Sequence, residues 1–446
     1  MKKFFLALST LLYALAYLCP YFCWWLVFIF AIPFFYAVTR LSVSLGDGIL
    51  WAFLFFSLHL AGVFEGLYNT AEGSVIMRIA PIAAIIVYGS VTGAIWFYGS
   101  RWIAAHNICI WLIALTLFFV WLEHGCLILL GRMEGYLLFN PLVPLVQAPG
   151  LLYWLPICGG VAMVFFLLLT QAAVVARSYG LLALCGVFWL SGLALQLFEQ
   201  ERVIDCTGIT CASAAFEPLD DVKYNGKVLR NYCAEVLKKY PDTEMIFFPE
   251  TSVRCPLLFG QPEVVGLLRG LKKPVTLIVG GFRWDGDDFR NTVYWVYDGK
   301  LVDIFDKRHA MALTERLPSD SWLGNNALIS EVYFKKFRGI NPARNPRPVW
   351  KISPQLTIIP YICSELYFNN EPDHVSVKDA VIIALCNDQW IVRDGMRYQM
   401  LMGARYRAIQ WQTPILYVAH FYQGACLPSG KYFSLRVNRT YKDNCW

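Results

Sequence analysis

Three short apolar runs in the second half of the chain end in side chains that can do chemistry. The run IIPYI ends at Cys363, MIFF leads into Glu250, and IFD leads into Lys307. A single cysteine in an apolar run is usually a small packing residue. A thiol at the end of a strand can instead act as a nucleophile when a base lies near it. A carboxylate, an ammonium and a thiol at three strand ends therefore predict a thiol acyl-transfer site.

These three groups have complementary roles in such a reaction. A free thiol with a pKa of about 8.5 is mostly protonated at neutral pH, so we expect Glu250 to act as general base. Attack on an ester or amide carbonyl builds an oxyanion, which Lys307 and a backbone N–H would stabilise by about 3–4 kcal/mol each. Water or an amine then attacks the thioester. Glu315 and Glu365 are candidate supporting acids that could hold Lys307 protonated, and each could also be an ordinary surface charge.

The composition divides the chain into two halves. Hydrophobic residues make up 57% of the 446 positions and charged residues 16%, which is too apolar for an ordinary soluble protein. Most of the charge lies after Phe198. We therefore predict a transmembrane helical domain over residues 1–200 and an extracytoplasmic catalytic domain over residues 201–446. The net charge of +6 comes without a basic stripe interleaved with aromatics, which argues against nucleic-acid binding.

The first half contains seven apolar runs of about the length that a bilayer core requires. They cover residues 3–18, 21–39, 49–67, 75–98, 102–122, 152–175 and 179–197. Basic residues at alternate ends, such as Arg40 and Arg177, predict the cytoplasmic side, so seven crossings place the second half outside the cytoplasm. The first run could instead be a signal peptide, but its A-x-A match lies inside the apolar run. The apolar, proline-rich loop 141–150 is expected at the membrane surface, as a connector or a lipid-access route.

Strand-like and helix-like runs alternate in the second half, which predicts a layered α/β domain. Apolar spacing predicts helices over 225–238, 264–271 and 396–409. Strands are predicted over 245–248, 275–280, 292–297, 301–305, 356–361 and 381–385, with 414–419 as the closing strand. The turn Asp298-Gly299 predicts a hairpin between its two flanking strands.

The 14 cysteines form no CxxC pair and no Cys/His pattern of metal-ligand spacing. No metal and no organic cofactor is therefore predicted. Cys206 and Cys211 are close enough in sequence to form a disulfide in an oxidising compartment, but the spacing alone leaves that open.

The segments FFPETS, FDKRH and ICSE resemble the three signature segments of the carbon–nitrogen hydrolase (nitrilase) superfamily. With its multi-span first half, the chain is similar to the apolipoprotein N-acyltransferase family in particular. The resemblance implies an αββα nitrilase-like sandwich with Glu250 as base, Lys307 as oxyanion partner and Cys363 as acylated nucleophile. It also implies supporting roles for Glu315 and Glu365.

Further segments resemble that family, among them the loop at 141–150, CNDQW at 386–390 and RYRA at 405–408. From CNDQW, the resemblance implies that Asn387 and Trp390 contact substrate. The family takes an acyl chain from a membrane phospholipid, usually phosphatidylethanolamine, and passes it to the N-terminal amine of a lipoprotein. The resemblance therefore implies a multi-pass protein of the bacterial inner membrane with its catalytic domain in the periplasm.

The chain also departs from the family pattern. Ser364 follows the cysteine where an aromatic residue is common, AMALTERLP follows the lysine segment in place of a VPFGEY-like run, and RVNRTYKDNCW stands where the family has a further span. These departures leave the donor and the acceptor open. One alternative is a nitrilase-like conjugal-transfer protein or an amidase that uses the same three residues with another acceptor. Another is a non-catalytic membrane scaffold.

Overall fold

The computed structural model describes most of the helical and strand segments of the chain. The described residues are 1–41, 43–59, 141–198, 209–211, 222–256, 271, 273–310, 315, 340–343, 345–354, 356–368, 380–389, 391 and 394–434, with isolated positions between 79 and 140. At 209–211, 222–228 and 254–256 only the backbone is described. The chain forms two compact units, one of residues 1–201 with 390–412, and one of residues 202–389 with 413–446.

The first unit is helical. Its helices are α1 (Lys2–Leu18), α2 (Pro20–Cys23), α3 (Ala31–Arg40), α4 (Leu45–His59), α5 (Leu155–Ala176) and α6 (Tyr179–Gln196), with α8 (Asp394–Trp411) from late in the chain. Among the described residues, three apolar helical stretches are long enough to cross a membrane, namely Pro20–Arg40, α5 and α6. On α6, Leu184, Val187 and Leu190 are all more than half exposed. A continuous apolar face of this kind fits lipid rather than water as its surroundings.

Helical structure covers most of the apolar runs at 3–18, 21–39, 152–175 and 179–197, as predicted. Helix α4 covers the first part of the run at 49–67. The runs at 75–98 and 102–122 lie mostly outside the described residues. The count of seven spans and the orientation that depends on it therefore stay predictions.

The proline-rich loop is buried inside the helical unit. It forms two 3₁₀ helices, Val143–Gln147 and Pro149–Leu152. Helix α8 supplies polar partners for it: the Tyr398 hydroxyl accepts a hydrogen bond from Gln147 at 2.7 Å, and Arg405 donates to the Val146 carbonyl at 2.6 Å. These contacts explain why α8 groups with the helical unit, whereas the sequence-based boundary assigned it to the catalytic half. The helix itself, predicted over 396–409, is confirmed.

The second unit contains a five-stranded sheet among its described residues. The strands lie in chain order: β1 (Ile209–Cys211), β2 (Met245–Pro256), β3 (Thr276–Asp285), β4 (Asp288–Tyr297) and β5 (Lys300–Asp306). The first three strands are parallel, and β3, β4 and β5 are antiparallel. Asp298 and Gly299 have positive φ angles of 47° and 67°, the conformation that a two-residue hairpin loop requires. The predicted hairpin is confirmed.

A six-stranded sheet completes the described strands. Its members are β6 (Trp350–Lys351), β7 (Thr357–Ile362), β8 (Ala380–Leu385), β9 (Ile415–Val418), β10 (Gln423–Cys426) and β11 (Tyr432–Ser434), arranged in that spatial order. The strands β7, β8 and β9 are parallel neighbours. The prediction that 414–419 closes the fold was wrong, because two short antiparallel strands follow it. Their sequences, QGAC and YFS, lack the apolar run that marks the inner strands.

The two sheets pack face to face around one apolar core. That core includes Phe247 and Ile278 from the first sheet, with Ile358, Ile383 and Leu416 from the second. Each fully buried side chain of this type contributes about 1.5–3 kcal/mol of stability.

Helix α7 (Val222–Lys239) covers the other face of the first sheet. Its residues Leu229, Tyr232 and Val236 pack against Ile246 and Phe248. This layering confirms the predicted fold class, an apolar helical region followed by an α/β domain with two mixed sheets. The helix predicted at 264–271 lies outside the described residues except for its last position, 271.

Candidate active site

Glu250 is placed by an unusually close approach of two strands. Strand β2 continues past the expected end at residue 248 and carries Glu250 beside Gly280 of β3. A Cβ at Gly280 would lie 2.6 Å from the Glu250 Cα, so only glycine permits this contact. The next residue, Thr251, has φ +57°. A β-branched residue in the left-handed region costs about 1–3 kcal/mol, and here it turns the chain directly after the carboxylate.

Cys363 sits at an equally sharp turn. Strand β7 ends at Ile362, Cys363 has φ +45°, and a 3₁₀ helix runs over Cys363–Tyr367. The cysteine is half-buried, whereas Ser364 and Glu365 are buried. Cys363 is therefore the least buried residue of the segment Cys363–Tyr367.

Lys307 directly follows β5 and is fully buried. Its Nζ lies 3.2 Å from Glu250 Oε1 and 2.6 Å from Glu315 Oε1. A lysine is almost never buried this completely unless it is paired. Burial alone would lower the pKa of Lys307, but the negative charges of Glu250 and Glu315 outweigh it and hold the pKa well above its ordinary value. The ammonium therefore stays charged across the physiological range.

The Cys363 thiol has both of these groups within electrostatic range. A hydrogen bond with Cys386, burial and the negative charge of Glu250 raise its pKa well above the ordinary value, while Lys307 opposes them. The resting sulfur is therefore a protonated thiol. Any reaction at this sulfur needs a base that removes the proton as the new bond forms.

Asn291 on β4 connects two members of this cluster, and the sequence analysis did not identify it. Its side-chain Nδ2 donates to Glu250 Oε1 at 2.8 Å, and its backbone carbonyl accepts a hydrogen bond from the backbone N–H of Lys307 at 2.8 Å. Asn291 is 1% exposed. Asparagine is unfavourable inside strands, so its position within an otherwise strand-type run was the available signal.

A buried ion pair holds the strand that presents Lys307. Asp306 accepts from Arg283 Nε at 2.8 Å and from the Thr292 hydroxyl at 2.7 Å. These bonds fix Asp306, the residue before Lys307, against the neighbouring strands β3 and β4. The arrangement limits the freedom of the lysine backbone without using its side chain.

The family profile for the carbon-nitrogen hydrolases matches residues 210–434, which is half of the chain. The chain belongs to the carbon-nitrogen hydrolase family. Its matched region contains both sheets and every member of the cluster described above, so the fold is that of a nitrilase-like α/β domain.

Curated relatives carry the name apolipoprotein N-acyltransferase. The protein of Brucella suis biovar 1 (strain 1330) is 26% identical over 187 residues, 40% of this chain and 35% of the relative. That of Rhodopseudomonas palustris is 27% identical over 274 residues, 56% of this chain and 48% of the relative. The chain thus spans about a third to a half of the length of these relatives.

Solved structures were matched as well. The carbon-nitrogen hydrolase from Helicobacter pylori G27 aligns with a TM-score of 0.36 at 13% identity, over 50% of this chain and 83% of that chain. Saccharomyces cerevisiae Nit3, a member of branch 10 of the nitrilase superfamily, aligns with a TM-score of 0.35 at 16% identity, over 51% and 82%.

The two acids predicted to support the lysine of this carbon-nitrogen hydrolase occupy different positions. Glu315 contacts Lys307, as expected. Glu365 is bound instead by Arg347 at 3.1 Å and by the backbone N–H groups of Ile362 at 2.9 Å and Arg308 at 2.7 Å. It therefore ties the turn at Cys363 to the segment after Lys307. The prediction that Glu365 supports the Lys307 ammonium was wrong, because its carboxylate binds Arg347 and the backbone N–H of Ile362 instead.

The remaining predicted residues lie around the same cluster. The Ser364 hydroxyl donates to the His309 carbonyl at 3.2 Å. Asn387, predicted to contact substrate, donates to the Thr251 hydroxyl at 2.9 Å and so supports the turn after Glu250. Trp390 and Cys206 lie outside the described residues. In the described part of the chain, His, Cys, Asp and Glu side chains form no group suited to a metal ion.

Glu365 should make the stability of the domain depend on acid. Burial raises its pKa, but the charges of Arg347 and His309 and the bonds from Ile362 and Arg347 outweigh this and lower it below 4.5. A lowered folded-state pKa gives stability that is present above pH 4.5 and is lost as the pH falls through the folded value. We expect Glu365→Gln to be about 3–5 kcal/mol less stable at pH 7, since Arg347 stays buried without its partner.

Denaturant unfolding of wild type and Glu365→Gln between pH 7 and pH 3.5 measures their free energies of unfolding. The difference between these two free energies should become smaller as the pH falls. Glu235→Gln, the same change at an exposed site on α7, should match wild type throughout. A Glu365→Gln curve parallel to wild type at every pH would contradict the linkage.

Proposed function

We propose that this chain is a membrane N-acyltransferase that moves an acyl chain from a phospholipid to the N-terminal amine of a lipoprotein through a thioester on Cys363. The observation that carries the proposal is the buried contact between Lys307 and Glu250, at 3.2 Å, beside the partly buried Cys363 thiol, whose pKa both groups influence. The names of the curated relatives support the acceptor, and the apolar helices fit a membrane protein whose substrates are in the membrane.

In the first half-reaction, Glu250 takes the proton of Cys363 as the sulfur attacks the ester carbonyl of the phospholipid. The C–S bond forms and the carbonyl becomes an oxyanion, which the ammonium of Lys307 stabilises. Collapse of this intermediate breaks the C–O bond to the glycerol. Glu250 returns its proton to the leaving oxygen, and a lysophospholipid departs.

In the second half-reaction, an amine replaces the alcohol. Glu250 takes a proton from the attacking amine as the C–N bond forms, and Lys307 again faces the oxyanion. The C–S bond then breaks and the proton returns to the Cys363 sulfur. An ester and an amine have become an alcohol and an amide, and the enzyme is restored.

The same site with another acceptor is the second candidate. Two local features favour it: the segment after Lys307 departs from the family pattern, and the small Ser364 stands where an aromatic residue is common. These positions flank the nucleophile, so they affect which acceptor fits rather than whether Cys363 is acylated. With an amide as acyl donor and water as acceptor, the same site would act as an amidase, and a role in conjugal transfer would use the same chemistry.

The proposed location follows from the flanking charges of the helices. Lys2, Lys3, Arg40 and Arg177 lie on the side predicted to be cytoplasmic, which puts the catalytic domain in the periplasm at the inner membrane.

The purified full-length chain in detergent micelles, incubated with labelled phosphatidylethanolamine, tests the proposal. We expect a hydroxylamine-sensitive adduct on the Cys363 peptide, and transfer of the label to the α-amine of a diacylglyceryl peptide added afterwards. Label released only as free fatty acid would favour the hydrolase. Failure of every phospholipid to acylate Cys363 would overturn the acyltransferase.

A further inference from the structure

A second thiol lies beside the nucleophile, and the mechanism does not use it. Cys386 directly follows β8, as Cys363 directly follows β7. These strands are parallel neighbours, and their last residues, Ile362 and Leu385, are Cα partners in the ladder. Interaction with Cys386 is also the largest cause that raises the pKa of Cys363. The strand register therefore places the two cysteines next to each other at the ends of adjacent strands.

This register suits a disulfide. Neighbouring strands lie about 4.8 Å apart, and a disulfide joins Cα atoms about 4.4–6.8 Å apart. Both cysteines are free thiols in this structure. They differ in exposure, because Cys363 is half-buried and Cys386 is fully buried. An oxidant arriving from solvent therefore meets Cys363 first, with Cys386 behind it.

We propose that Cys386 is a resolving thiol, which traps oxidised Cys363 as a reversible intramolecular disulfide. The oxidant is hydrogen peroxide. The Cys363 sulfur attacks one peroxide oxygen and the O–O bond breaks; the thiol proton passes to the leaving oxygen, which gives a sulfenic acid and water. The Cys386 sulfur then attacks the sulfenic sulfur, the S–S bond forms, the S–O bond breaks, and a second water leaves with the Cys386 proton. Two thiols and one peroxide become one disulfide and two waters.

The disulfide removes the nucleophile and also protects it. A sulfenic acid without a nearby thiol proceeds to sulfinic acid, which ordinary dithiols do not reduce. With Cys386 at the end of the adjacent strand, the sulfenic acid is expected to form the disulfide instead, and a dithiol can reduce that disulfide. The site would be switched off under oxidation and restored by reductant. This inference goes beyond the proposed function, since it needs only the two sulfurs and no acyl substrate.

The test treats the reduced full-length chain with hydrogen peroxide, blocks remaining thiols with iodoacetamide, and maps peptides by mass spectrometry. In wild type we expect a cross-linked peptide pair joining Cys363 to Cys386, and full recovery of Cys363 alkylation after dithiothreitol. In Cys386→Ser we expect no such pair, sulfinic acid at Cys363, and no recovery. Cys426→Ser, which changes another buried cysteine of the same sheet, should behave as wild type.

The peptide map of the wild-type protein can overturn the proposal by itself. The test therefore remains decisive even if the Cys386→Ser chain fails to fold. Irreversible oxidation of wild-type Cys363, or its cross-linking to a different cysteine, would refute the resolving role. The readout is chemical modification rather than acyl transfer. If the chain forms the disulfide but Cys363 is never acylated, the proposed function is refuted and this inference stands.

Discussion

Replacing Cys363 with alanine is expected to abolish both the acyl adduct and all transfer to an amine. The proposed reaction forms its covalent bond at this sulfur, and alanine has no atom that can replace it. Alanine also keeps the Cβ at the φ of +45° that this turn imposes, so the backbone strain is unchanged. The loss should therefore be one of chemistry and leave the fold intact. Intact-protein mass spectrometry after incubation with phospholipid measures it.

Two further variants serve as controls for that experiment. Cys426→Ala removes a sulfur from a fully buried position on β10 of the same sheet and should keep the adduct. Cys363→Ser supplies an oxygen at the same place, and any slow product should be an ester rather than a thioester. An adduct of wild-type yield on the Cys363→Ala chain would place the nucleophile elsewhere.

The strands that carry or precede Glu250, Lys307 and Cys363 were predictable because each is a local feature, although β2 continues past Glu250. An apolar run of strand type followed within two residues by Glu250, Lys307 or Cys363 is a short sequence pattern, so it can be recognised without knowing the fold. Strand identity was predicted for the same reason, since β8 and its neighbours are continuous apolar runs of the type that buried parallel strands show.

The partners of those residues were not predictable, because they arise from strand pairing. Asn291 is 41 positions from Glu250 in sequence, and only the order of β2, β3 and β4 brings the two together. Cys386 is beside Cys363 only because β7 and β8 are neighbours in register. The sequence offered Glu315 and Glu365 equally as partners of Lys307. In the structure Glu315 binds Lys307, whereas Glu365 binds Arg347.

The boundaries between units were also hard to predict from the chain. Helix α8 carries Arg405 and Tyr398 among apolar residues, a composition typical of the catalytic half. Its polar groups find their partners in the buried loop around Val146 and Gln147. Buried polar groups need hydrogen-bond partners, and this requirement, rather than hydropathy, accounts for where the helix packs.

Lys307→Met should reduce acyl-enzyme formation at least about 1,000-fold, because it removes the proposed oxyanion partner. It should also destabilise the domain. The ammonium lies between two carboxylates, 3.2 Å from Glu250 and 2.6 Å from Glu315. Without it, two like charges face each other in a buried site, and the cost of breaking such a pair is about 3–5 kcal/mol. One carboxyl will take up a proton instead, which compromises Glu250 as a base.

A double variant separates these two effects. Lys307→Met with Glu315→Gln removes one of the opposed charges, so thermal stability should return towards wild type while acylation stays absent. Lys300→Met makes the same substitution at the exposed start of β5 and should change neither property. If the double variant regained activity along with stability, the lysine would serve only to neutralise its neighbours. If Lys307→Met alone kept a tenth of wild-type activity, the oxyanion would be stabilised by other groups.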